Sequence, residues 1–380
     1  MSSISLPREE WNSRGRSLLI ECLENFKSVG DRYRTADELL NLGAIQSYLG
    51  NIETARELYE QALLYYHQIN SKRSIAEIWI RLGRLASEQG EYGQASKFLH
   101  QSLMLVREIC HRSDVAINLW RLGQLSFYQK DIQQAFISCY EGSKISIEIE
   151  DELMKALLQV DEGFIHLVEN KYAKSELCFK QCLPTLINQH QNAPAAKALS
   201  GLGDLSRHQG KLKESLEHYH QALELVRETD QAFTLENLLE GKSKTLSEMG
   251  AYKIAARLFG AATSIRKKWG GVIHPVFRAE YDKYITLLRE KLGDTTFDKI
   301  WAEGESMSIE QAIGEQAQVY DLLSGNDSYK DLWAKETRDL VRQRGHPRVL
   351  LRTTHHQHGR PGQRLRFPRA RAEGREVRTL

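Results

Sequence analysis

The stretch LGAIQSYLGNIETARELYEQAL, residues 42–63, decides the fold. It places small residues at Gly43, Gly50, Ala55 and Ala62, and each opens a series that returns every 40 residues. Gly43 is followed by Gly83, Gly123, Gly163 and Gly203, with Ser243 in the sixth place. Gly50 is followed by Gly90, Lys130, Asn170, Gly210 and Gly250. Ala55 leads to Ala95, Ala135, Ser175, Ser215 and Ala255, and Ala62 to Ser102, Gly142, Cys182, Ala222 and Ala262. A fixed period of this length is the signature of one supersecondary unit stacked on itself.

Each series has a physical reading. Small residues inside a helix let its hairpin partner approach closely, where a large side chain would hold the two apart. The Gly50 series marks where the first helix stops, because Gly and Asn tolerate the left-handed backbone that ends a helix. Lys130 departs from that rule. Residues Ile52, Tyr92, Ile132, Tyr172, Leu212 and Tyr252 then open the second helix. The register predicts first (A) helices near 33–49, 73–89, 113–129, 153–169, 193–209 and 232–249. It predicts second (B) helices near 52–69, 92–110, 132–149, 172–189, 212–228 and 252–269. A lone hairpin cannot bury its apolar face, whereas six stacked hairpins can.

The spacing of Leu42-Gly43, Gly50, Ile52, Ala55, Tyr59 and Ala62-Leu63 resembles the tetratricopeptide (TPR) consensus. The set recurs at Leu82-Gly83, Gly90, Tyr92, Ala95, Leu99 and Ser102-Leu103, and at Leu202-Gly203, Gly210, Leu212, Ser215, Tyr219 and Ala222-Leu223. The resemblance implies an all-α superhelical solenoid of six hairpins over 33–270. The period is longer than usual for TPR repeats, and the surplus is expected to lengthen the B helices. This long-period variant is similar to the TPR arrays of bacterial signal-transduction (STAND-type) ATPases and LuxR-type transcriptional regulators. Two further strings are similar to the C-terminal close of those arrays: Ala255-Ala256-Arg257-Leu258-Phe259-Gly260-Ala261-Ala262 and Trp301-Ala302-Glu303-Gly304.

The ends differ from the array. Carrying the register back puts Gly15 and Cys22 on small-residue positions, so residues 1–32 read as a partial repeat or a capping helix. Residues 271–317 read as a small helical cap. Pro275 suits the first turn of a helix over 275–292, and Ser308 with Gln311 has the spacing of a capping box. Residues 318–344 read as a weakly helical linker. Residues 345–380 hold nine Arg, no Lys and two Glu, a charge of +7, which leaves the rest at −5 of the chain's net +2. The abrupt switch from Lys to Arg and the loss of helical period are what out-of-frame or read-through coding produces. A disordered basic arm for nucleic acid is the second reading of the tail. A metal site at His355, His356 and His358 is the third, and lacks partner ligands.

No catalytic constellation emerges. Gly241-Lys242-Ser243 resembles the end of a phosphate-binding loop, but position 236 is Glu rather than Gly, and the segment lies inside an A helix. Cys178, Cys182 and His166 read as structural, since Cys182 occupies a small-residue position. Carboxylate pairs such as Asp161-Glu162 read as solvated helix faces. Five cysteines without disulfide spacing, no signal peptide and no long apolar run point to the cytoplasm and away from membranes. Neither a metal nor another cofactor is expected, and the chain reads as a non-enzyme.

In TPR arrays the A helices line the concave groove, and the resemblance assigns groove-facing positions residue by residue. They give an apolar, aromatic stretch in units three and four: Trp120, Gln124, Phe127, Tyr128, Val160, Phe164 and Val168, with Arg84 on the charged flank. Such a surface suits a protein or peptide partner, or a small inducer. Internal packing between repeats is the competing reading of these residues. Arg81 and Arg121, one register apart, read as solvated helix faces, with an anion-preferring edge as the second reading. Two functional readings follow: the sensing region of a larger bacterial regulator, and a free-standing adaptor that docks a partner helix. Nucleic acid enters only through the basic tail.

Overall fold

The computed structural model describes residues 19–227 and 232–314. Every regular element among them is a helix. The first three hairpins pair α1 (Arg32–Tyr48) with α2 (Ile52–Gln68), α3 (Lys72–Glu88) with α4 (Tyr92–Glu108), and α5 (Arg112–Tyr128) with α6 (Ile132–Glu148). The next three pair α7 (Glu152–Val168) with α8 (Tyr172–Asn188), α9 (Asn192–His208) with α10 (Leu212–Val226), and α11 (Ala232–Glu248) with α12 (Tyr252–Lys268). Three more helices close the array: α13 (Pro275–Leu292), α14 (Asp294–Glu305) and α15 (Ile309–Gly314). This is the all-α, TPR-like stack that the register implies. The expectations for Gly15, for the linker 318–344 and for the basic tail 345–380 lie outside the described residues.

The long period is not made by the B helices alone. From α1 to α9 every helix has 17 residues and three residues join it to the next, so the surplus is shared equally between A and B helices. The turns are built alike. The Asn51 N–H donates to the Gln46 carbonyl at 2.9 Å, Gly50 takes φ +82°, and Asn51 then heads α2. At the other end of α2, the Ser71 N–H donates to the Tyr66 carbonyl at 3.0 Å, and Asn70 takes φ +55°. This six-to-one bond over a left-handed residue satisfies carbonyls that the helix end leaves open. Helical residues 19–28 end the same way, with Gly30 at φ +72° and the Asp31 N–H bonded to Phe26 O. They therefore close as a B helix does.

The small-residue series are the hairpin seams. Ala55, Ala95, Ala135, Ser175, Ser215 and Ala255 are all fully buried. Each A-helix glycine receives one B-helix side chain: Tyr59 on Gly43, Leu99 on Gly83, Cys139 on Gly123, Phe179 on Gly163 and Tyr219 on Gly203. A Cβ on Gly163 would stand 2.5 Å from the Phe179 ring, closer than carbon atoms pack.

The closing helices follow their sequence signals. Pro275 occupies the first turn of α13. Ser308 and Gln311 form the reciprocal capping box, Ser308 N–H to Gln311 Oε1 at 2.8 Å and Gln311 N–H to Ser308 Oγ at 3.1 Å. Gly260 and Gly304 let α12 and α14 meet backbone to backbone, since a Cβ on Gly304 would fall 1.9 Å from the Arg257 carbonyl. Between α12 and α13 the chain crosses to the other end of the array. The Trp269 ring lies over Gly50 and Val272 over Gly90, each 3.0 Å from where a Cβ would sit. This segment, 269–274, ties the sixth hairpin to the first two.

Candidate ligand-binding face

Helices α3, α5, α7 and α9 present side chains to one another along one face. At its centre is Asp161 on α7, only 6% exposed. Its Oδ2 accepts from Trp120 Nε1 at 2.6 Å and from Gln124 Nε2 at 2.9 Å, and its Oδ1 from Lys197 Nζ at 2.6 Å. One carboxylate thus links α5, α7 and α9. Reading Asp161-Glu162 as a solvated face was wrong for both residues. Glu162 is held by Ser143 Oγ at 2.8 Å, and burial raises its carboxyl above the usual range.

Arg84 extends the same face to α1. Its guanidinium donates to Ser47 Oγ at 2.7 Å and pairs with Glu88 at 3.0 Å. Lys197 also lies 5.4 Å from the centre of the Phe164 ring. Burial alone would lower the Lys197 ammonium, but Asp161 outweighs it and the group stays raised. Arg84 and Lys197 each keep 34% of their side-chain surface, so both side chains are partly exposed.

The expected groove residues divide. Arg84, Trp120, Gln124 and Phe164 converge on the polar centre just described. Val160 is buried in the core, 2% exposed, and Phe164 sets its edge against Phe179, ring centres 5.1 Å apart. Phe127 and Tyr128 meet the protein's own closing segment. Phe127 packs edge-on against Phe277 at 5.9 Å, and Tyr128 stacks flat on His274 at 3.9 Å. Val168 lies apart from both groups and is 40% exposed.

Sequence reasoning missed His274 and Phe277, because nothing in a 40-residue register encodes a contact from residue 274 back to Tyr92. His274 Nδ1 lies 2.9 Å from the Tyr92 hydroxyl. Burial, helped by Arg266 and Lys197, pushes the imidazole down to about 4, so it is neutral at neutral pH. Arg121 was misread as part of a solvated face. Its guanidinium lies 4.0 Å from the Trp120 ring centre and donates to Gln124 Oε1 at 2.9 Å. Arg81, its register mate, is partly exposed like Arg121 but pairs with a carboxylate, Glu77, at 2.6 Å.

A second charged cluster anchors the closing helices. Arg207 on α9, with 3% of its side chain exposed, pairs with Asp204 at 3.0 Å, Glu248 at 3.2 Å and Glu280 at 2.8 Å. Lys244 adds a 2.7 Å bond to Glu280. Burial would raise the Glu280 carboxyl, but Lys244 and Arg207 prevail and hold it down at about 2. Cys178 and Cys182 are pushed up by burial to about 11 and about 12, as unreactive thiols are. Among the described residues no group of three His, Cys, Asp or Glu is placed to hold a metal ion. No described helix is long and apolar enough to cross a membrane.

Comparison with known proteins agrees with this architecture. Two family models, both described as tetratricopeptide repeat, match residues 39–66 and 194–268. The chain therefore carries TPR repeats. Proteins named as HTH-type transcriptional regulators in Mycobacterium tuberculosis and Mycobacterium bovis are 39% identical over 66 residues. That match spans 17% of this chain and only 8% of each relative's length. Among solved structures, a Rap protein complexed with competence and sporulation factor aligns with a TM-score of 0.49 at 14% identity, covering 89% of this chain and all of that one. A STAND protein with a TPR sensor from Pyrococcus horikoshii aligns with a TM-score of 0.44 at 15% identity, over 82% of this chain and 49% of that one. BtubC from P. vanneervenii gives a TM-score of 0.46 at 14% identity, over 56% and 90%.

Proposed function

We propose that this TPR array is the non-catalytic sensing region of a bacterial regulator, acting in the cytoplasm. It binds a peptide, a protein segment or a small inducer on the face built by α3, α5, α7 and α9. One observation carries the reading. Asp161 joins Trp120 and Gln124 of the third hairpin and Lys197 of the fifth to its own, the fourth, in a single polar and aromatic centre. A ligand seated there touches several repeats at once, and stacked repeats respond together because each is stabilised by its neighbours. The kinship of a 66-residue segment with HTH-type regulators supports a regulatory setting. Six repeats over 33–270, closed by a cap over 271–317, form the unit that this reading requires.

The test is a thermal-shift screen of peptides and small molecules, followed by hydrogen exchange on the hits. Protection is expected in α3, α5, α7 and α9. Binding should be lost when Arg84→Ala and Lys197→Ala are combined, with circular dichroism and the urea midpoint confirming that the array stays folded, because Lys197→Ala leaves the buried Asp161 carboxylate without its ammonium partner. Protection confined to the B helices, or binding unchanged in that variant, refutes the reading.

A further inference from the structure

Along the proposed binding face, each cation but one has its own carboxylate. Arg84 has Glu88 at 3.0 Å, Lys197 has Asp161 at 2.6 Å, and Arg207 has Asp204, Glu248 and Glu280. Arg121 has none within 4.0 Å among the described residues. Its Nη1 is used by Gln124, while its Nε is buried without a partner. Neither nearby carboxylate is free to turn to it. Asp161 already accepts from Trp120, Gln124 and Lys197, and Glu88 is held by Arg84.

The surroundings sharpen the imbalance. The Trp120 ring lies against the guanidinium with 4.0 Å to its centre and holds the Arg121 side chain in place. Burial, together with the positive charge of Arg84, pushes Arg121 down to about 10. A guanidinium is a planar fork of donors that matches a carboxylate or a phosphate two bonds at a time. A partly buried fork with an unpaired donor and a second cation beside it stabilises an anion that reaches it. It does not favour a cationic or purely apolar group.

We propose that Arg121, flanked by Arg84 and backed by Trp120, is the seat of an oxyanion: a carboxylate or phosphate group on the ligand that this face binds. The inference rests on the reading of α3, α5, α7 and α9 as the binding face and adds the chemical class of the ligand. It also gives Trp120 and Gln124 a definite part. Both are positioning residues: each donates to Asp161, and on the other side Gln124 accepts from the Arg121 guanidinium while the Trp120 ring lies against it.

The experiment uses the full chain at low ionic strength, where surface charge is least screened. Inorganic phosphate and succinate are the probes, read by calorimetric titration and by the Arg121 Nε–H resonance in a 15N-labelled sample. At least one probe is expected to bind the wild type and to shift that resonance. Arg121→Gln should weaken the binding by roughly tenfold or more, the scale of a lost charged hydrogen bond. Arg121→Lys keeps the charge without the fork and should fall in between. Arg81→Gln removes a cation from the same helix register and should bind as the wild type does.

A response to phosphate alone assigns a phosphoryl group, and a response to succinate as well assigns oxyanions in general. Failure of both probes to bind the wild type, or equal binding by Arg121→Gln, overturns the inference. The underlying reading fails separately. If screened ligands protect α5 and α7 while neither probe binds, the face stands and the anion seat falls. If screened ligands protect only B helices, the face itself falls.

Discussion

Gly163→Ala offers a sharp test of the register, because its effect should change sign with one partner residue. In the native chain a Cβ at Gly163 would lie 2.5 Å from Phe179 Cε1. The ring cannot retreat, because on its other side Gly201 leaves no more room: a Cβ there would stand 2.2 Å from Cζ. Replacing a mid-helix glycine by alanine gains about 1 kcal/mol of helix propensity. Overpacking a fixed core costs about 1–3 kcal/mol, and a ring pinned on both sides puts this site at the upper end. Gly163→Ala should therefore destabilise by about 1–2 kcal/mol net. Phe179→Val removes every ring atom that the new methyl would meet, at a cost of roughly 2–3 kcal/mol for the space it leaves. In that background Gly163→Ala should stabilise, by about 1 kcal/mol. Urea unfolding followed by circular dichroism gives the four stabilities, with the slopes compared because a repeat array can lose two-state behaviour. If the two changes add within about 0.5 kcal/mol, the pair is not in contact and the hairpin seam is misplaced.

Three further outcomes are expected. Ala135→Arg puts a charge into a fully buried seam and should cost about 3–5 kcal/mol, visible as a large fall in the urea midpoint; an unchanged midpoint contradicts the register. Lys130 adopts φ +68° on an exposed turn, so Lys130→Gly should stabilise by about 0.5–1 kcal/mol, whereas Asn170→Ala at the equivalent turn should destabilise. His274 is held down at about 4 in the folded chain, so the unfolded chain takes up this proton first, near the ordinary 6.5. Its contribution is therefore complete above pH 6.5 and is lost as the pH falls towards 4, by up to about 3 kcal/mol. His274→Asn should flatten urea midpoints across that window, and a wild type already flat there would dismiss the idea.

The hairpins were legible because their seams constrain residue size. Ala, Gly, Ser and Cys recur at seam positions, and size can be read from a sequence directly. Backbone conformation and polar partnership cannot. The turns that lead from one hairpin to the next are as regular as those within hairpins, yet their left-handed residues are Gly30, Asn70, Cys110, Glu150, His190 and Gly270. These share a dihedral angle and no chemistry, so no series is visible. The same holds on the face proposed for binding. Arg81, Arg121, Asp161 and Gly201 occupy one register position and have four different fates. Arg81 pairs outward with Glu77, Arg121 lies on Trp120, Asp161 gathers three donors, and Gly201 makes room for Phe179. A period tells which helix face a residue shares, and only the neighbouring hairpins decide what it meets there.

The closing segment shows why this matters for function. Phe127 and Tyr128 belong by register to the same face as Trp120 and Gln124, and from sequence the four form one apolar docking surface. In the folded chain Phe277 and His274 already cover Phe127 and Tyr128. A ligand that needs those two rings must first displace residues that also hold Trp269 on Gly50 and Val272 on Gly90. Binding there is therefore coupled to the link between the first and last hairpins, and its affinity is reduced by whatever that link contributes to stability. A ligand seated at Arg84, Arg121 and Lys197 would instead compete with Glu88 and Asp161, the carboxylates already paired there. On the proposed reading the cationic centre is the place of first contact, and the aromatic pair would report the ligand only through release of the closing segment. Under that proposal His274 is the residue on which sensing and stability would meet. Its protonation below neutral pH and its displacement by a ligand both weaken the stacking on Tyr128 and the bond to Tyr92. A ligand that displaces the segment should accordingly bind more tightly as the pH falls from 6.5 towards 4, whereas one confined to the cationic centre should not.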